Sequence, residues 1–102
     1  MEKATDKFYA RNWAKAINVI RELNTYFNER NVDIHYSILK KPNFLYLLKI
    51  TDKLEDYIKA KGIRFAHGKG KRKTELQRLY ERIADCAMKM MKYEIHYDLF
   101  QE

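Results

Sequence analysis

Apolar side chains return every third or fourth residue from Tyr9 to Phe27, as Tyr9, Trp13, Ala16, Ile17, Ile20, Leu23 and Phe27, with charged or amide residues between them. That spacing predicts a helix over about 6–29 with one buried stripe, capped by Thr5 or Asp6 and ending near Asn28 to Asn31. The period then changes. Val32, Ile34, Tyr36 and Ile38 alternate with polar residues, the mark of a half-buried strand or an extended connector. Pro42 biases Lys41 away from the helical region and suits the first turn of a second helix, over about 42–61. Its inward positions are Leu45, Leu47, Leu48, Ile50, Leu54, Tyr57 and Ile58, and Gly62 is placed to stop it. Thr74 followed three residues on by Gln77 is a capping box. The stripe after it, Leu76, Leu79, Tyr80, Ile83, Cys86, Ala87, Met90 and Met91, predicts a third helix over about 74–98.

The fold class expected is therefore all-α, a bundle of three long amphipathic helices in one domain over 1–102, with a short extended or irregular piece after the first. A minor alternative is a small two-stranded ladder from 32–38 and 93–99, because Glu94 to Phe100 is similar position by position to Asp33 to Leu39. A two-stranded ladder needs helices to cover it. A chain of 102 residues can bury roughly two-thirds of the surface of its unfolded form. A long bundle also leaves aromatic surface for a second copy, so a homodimer is expected.

Composition narrows the classes. With 46% hydrophobic and 34% charged residues the chain is not a disordered tail. Its longest apolar run, Phe44 to Leu48, is far short of a membrane span, which needs roughly 18 residues. The first residues carry no secretory pattern. The single cysteine, Cys86, forms no intrachain disulfide and fits a reducing compartment. The expected location is cytoplasmic.

Charge adds the functional direction. The net charge is +7, and the stretch Lys61 to Arg82 supplies six of those charges, with eight basic residues against Glu75 and Glu81. All three glycines, Gly62, Gly68 and Gly70, lie in it. Clustered cations on an adaptable loop that feeds a capped helix start suit phosphate oxygens. The candidate phosphate ligands are Arg64, Lys69, Lys71, Arg72, Lys73, Arg78 and Arg82, the last two one turn apart on one helix face. The expected function is a small non-enzymatic nucleic-acid-binding protein, with DNA or RNA as partner. The alternative is a helical adaptor or inhibitor that docks on an acidic protein surface. If the loop is only solvated surface, Glu75 and Glu81 would pair locally with Arg78 and Arg82.

Other chemistry finds less support. A phosphate-binding loop of the Walker type needs a glycine four residues before Gly-Lys-Ser/Thr, after a strand, and Arg72-Lys73-Thr74 does not supply it. His35, His67 and His96 have no metal-ligand spacing, and Cys86 falls on an apolar stripe, so neither metal nor cofactor is expected. Met88, Met90 and Met91, like most of the tyrosines and phenylalanines, read as core or interface. The string Arg30-Asn31-Val32-Asp33-Ile34-His35 is similar to the short Arg-Asn-x-x-x-His motif of the HEPN ribonucleases. What that resemblance implies is RNA cleavage, with His35 moving a proton. It covers six residues at a helix end, whereas the family carries its motif late on a helix, and no membership is drawn from it.

Overall fold

The computed structural model describes residues 4–68 and 72–99. It contains three helices: α1 (Ala4–Glu29), α2 (Phe44–Ala60) and α3 (Glu75–Leu99). The chain is an all-α bundle in which α3 packs against both other helices. Helix α1 is already helical at Ala4, so Thr5 and Asp6 belong to its first turn and do not cap it. Residues 93–99 continue α3 and 32–38 carry no strand, so the two-stranded ladder does not form. Met91, Ile95 and Leu99 keep the four-residue step of a helix, and that period prevails over the local alternation.

Helices α1 and α2 end in the same way. Val32 N–H donates to Phe27 O at 2.9 Å and Asn31 N–H to Asn28 O at 3.2 Å; Ile63 N–H donates to Ile58 O at 3.0 Å and Gly62 N–H to Lys59 O at 3.1 Å. Each is a Schellman turn, which needs one left-handed residue. Gly62 (φ 67°) fills that position in α2, and Asn31 (φ 57°) fills it in α1. The residues that follow, Val32 and Ile63, fold back onto the core. Helix α2 begins two residues later than Pro42 suggests, because Asn43 is its cap: the Asn43 Oδ1 accepts from Tyr46 N–H at 3.2 Å.

The core joins Trp13, Ala16, Val19, Ile20, Leu23 and Phe27 of α1 to Leu47, Ile50, Leu54 and Ile58 of α2 and Leu76, Leu79, Ile83, Ala87 and Met90 of α3. Leu45 and Met88, expected inside, are 64% and 52% exposed. Each lies two residues, about 200° of helical turn, from a buried neighbour (Leu47 and Met90), and so points to the opposite side.

The connectors are held by side-chain amides. Asn24 of α1 clamps Tyr36: its Nδ2 donates to Tyr36 O at 2.9 Å, and Tyr36 N–H donates to its Oδ1 at 2.8 Å. Gln77 of α3 clamps Ala66 in the same fashion, with Nε2 donating to Ala66 O at 2.7 Å and Ala66 N–H donating to Oε1 at 2.8 Å. An extended segment inside a helical protein lacks a neighbouring strand to satisfy its backbone, and these amides take that role.

Candidate nucleic-acid interface

Among the described residues the basic stretch folds as the turn that ends α2, a piece over 63–67 that is neither helix nor strand, and the start of α3. Ile63 and Phe65 turn inward while Arg64 between them is exposed, and Phe65 rests on Tyr80 with ring centroids 5.4 Å apart. Lys69 and Lys71 lie outside the described residues. Thr74 starts α3 as the capping box predicts, its Oγ1 accepting from Gln77 N–H at 3.2 Å. The second half of the box differs. The Gln77 side chain is buried, 1% exposed, and it holds Ala66 in place of the Thr74 backbone. Gln77, three residues past the cap, thus also fixes the loop that carries Arg64.

The ion pairs are not the local ones the sequence suggests. Glu81 takes Lys73 at 2.9 Å, Glu75 faces Arg30 of α1's end at 3.5 Å, and Arg82 pairs with Glu22 of α1 at 2.7 Å. Hydrogen bonds from Lys73, then Gln77, hold the Glu81 carboxyl below its ordinary range. The hydrogen bond with Glu22 raises the Arg82 guanidinium. These pairings leave Arg64, Arg72 and Arg78 without an ion pair among the described residues. Arg78 opens on a shallow depression that it shares with Lys73, Glu81, Arg82 and Asp85. No protein-family model, curated protein or solved structure matches this chain. What the site can do follows from its own geometry.

Folding also brings in a residue that local sequence does not flag. Arg30 is 45 positions from Glu75, yet its guanidinium reaches the start of α3 while lying 3.6 Å from the centroid of the Tyr26 ring and donating to Tyr26 O at 3.0 Å. In the ribonuclease-like string, Arg30 is thus turned toward α3. His35 is exposed on the connector, between two depressions lined by residues that include Asp33 and Ile34 but not Arg30. The Schellman turn at Asn31 separates the two, so they share no helix face.

Cys86 is buried on the α1-facing side of α3, and burial raises its thiol above the ordinary value. A thiol in that state is a poor nucleophile. Among the described residues no group of three His, Cys, Asp or Glu side chains could hold a metal ion, and no helix is long and apolar enough to cross a membrane.

Proposed function

We propose that this chain binds nucleic acid through the phosphate backbone, with no covalent chemistry of its own, using Arg64, Lys69, Lys71, Arg72, Lys73, Arg78 and Arg82. The observation that carries this reading is Arg78: a cation without a carboxylate partner among the described residues, opening on one depression with Lys73 and Arg82. A cation already neutralised within the protein releases fewer counterions on binding, so unpaired ones contribute most to affinity. Lys73 and Arg82 sit in solvent-exposed pairs, which a phosphate can replace.

The test is fluorescence anisotropy with a labelled oligonucleotide across a salt series. Log affinity is expected to fall steeply with log salt, and neutralising Lys69, Lys71, Arg72 and Lys73 to Gln to reduce the slope by about 0.7–0.9 for each phosphate that no longer meets a cation. Arg78→Gln should weaken binding more than Lys73→Gln, because Lys73 must first leave Glu81. Absence of binding at low salt would remove the reading. Co-purification of an acidic protein without nucleic acid would point to the adaptor alternative.

A further inference from the structure

Past Arg82 the basic surface continues onto a face that the loop does not include. Phe8, Lys15 and Glu22 follow at seven-residue steps on α1, while Arg82, Cys86, Lys89 and Tyr93 follow at steps of four, three and four on α3, so each set runs along one helix face. The helices are antiparallel. The Glu22–Arg82 ion pair joins the two faces at one end, and the Phe8 and Tyr93 rings, 6.3 Å apart, join them at the other.

Between these ends lies a second depression, lined by Lys15, Asn18, Val19, Arg82, Asp85 and Cys86. It shares Arg82 and Asp85 with the depression at Lys73 and Arg78, so the two form one groove. From Arg78 to Cys86 the groove follows α3 for about 12 Å, with the carboxylates Glu81 and Asp85 among its lining, and Lys89 and Tyr93 continue the same helix face for about 10 Å beyond it. Lys15 has no ion pair among the described residues; Lys89 is held by Asp85 at 3.0 Å in an exposed pair, open to exchange like that of Arg82. At the far end Phe8 remains 41% exposed despite its contact with Tyr93.

We infer that this groove and the face beyond it take a single strand of DNA or RNA, with phosphates along Arg78, Arg82 and Lys15 in the groove and Lys89 past its end, and a base stacked on Phe8. The inference rests on the phosphate-binding reading above and adds the form of the nucleic acid. Cations alone serve a duplex as well as a single strand. A track of cations that leads to an exposed ring suits the single strand, whose bases are free to stack, and a duplex keeps its bases inside.

The experiment compares labelled oligo(dT) and oligo(U) of about twelve nucleotides with a DNA duplex of equal length, a span within the site sizes of single-strand binders. Either single strand is expected to bind at least about tenfold more tightly than the duplex, and Phe8→Ala to weaken single-strand binding about tenfold while leaving duplex binding unchanged. Lys15→Gln with Lys89→Gln should lower the single-strand salt slope by about 1.4. Both sets of side chains are exposed, and circular dichroism checks that the variants remain folded. A duplex bound as tightly as the single strands, or a Phe8→Ala protein with unchanged single-strand affinity, overturns this inference and leaves the phosphate-binding reading standing. Failure of every oligonucleotide to bind at low salt overturns that reading and this one together.

Discussion

At the scale of the residue, Gln77 has the most to do. Its position three after Thr74 marks the helix start in the sequence, and its backbone N–H does meet the Thr74 hydroxyl. Its side chain, however, satisfies both backbone groups of Ala66, and Nε2 reaches Glu81 Oε2 at 3.2 Å as well. Gln77→Ala leaves two polar backbone groups without partners in a half-buried segment, at a cost of about 1–3 kcal/mol. Urea unfolding should show this loss. Gln77→Glu should cost at least as much as Ala at neutral pH, since the buried carboxylate accepts from Ala66 N–H but faces Ala66 O and the Glu81 carboxylate where Nε2 donated. The clamp is illegible in sequence because its partner lies eleven residues upstream in a loop, and a glutamine at that position satisfies the capping-box pattern whichever way its side chain turns. Arg30 shows the same limit: nothing near it in the chain announces Glu75.

At the scale of the element, the helices are legible because their apolar spacing is long and regular. Their ends are legible where a special residue marks them. Gly62 is the clear case. A Cβ at Gly62 would meet nothing within 4 Å, so the whole cost of Gly62→Ala is the left-handed backbone. That cost is about 1–2 kcal/mol, readable as a drop in urea midpoint. Asn31→Ala is expected to cost less than Gly62→Ala, because asparagine already bears part of the same penalty. Replacing Asn31 with Gly should be close to neutral. The start of α2 falls away from its expected place for a local reason. Proline at 42 is permissive for a helix start, but the start goes to the residue that satisfies the free N–H groups, here Asn43. The alternation at 93–99 misleads in the other direction, since a short segment can fit periods of two and of nearly four at once.

At the scale of the molecule, the bundle is uneven. Its extents are 46 × 32 × 20 Å and its radius of gyration is 15.2 Å, against about 13 Å for a compact domain of this length. Helices α1 and α3 pack along their lengths, while the shorter α2 docks chiefly on α3. Native-state hydrogen exchange should therefore find the amides of α2 opening at lower free energy than those at the centres of α1 and α3, as a smaller cooperative unit. Equal protection in all three helices would contradict that order. The candidate groove lies on the α1–α3 pair, the part of the bundle with the most extensive packing. The Asn24 clamp has a consequence of another kind. Val32 to Ile38 has the alternating, β-branched composition from which chains template one another into fibrils. The Asn24 amide occupies both backbone groups of Tyr36, within the row that an incoming strand would extend. Asn24→Ala frees them, and thioflavin fluorescence is expected to report more fibril formation from that variant than from wild type.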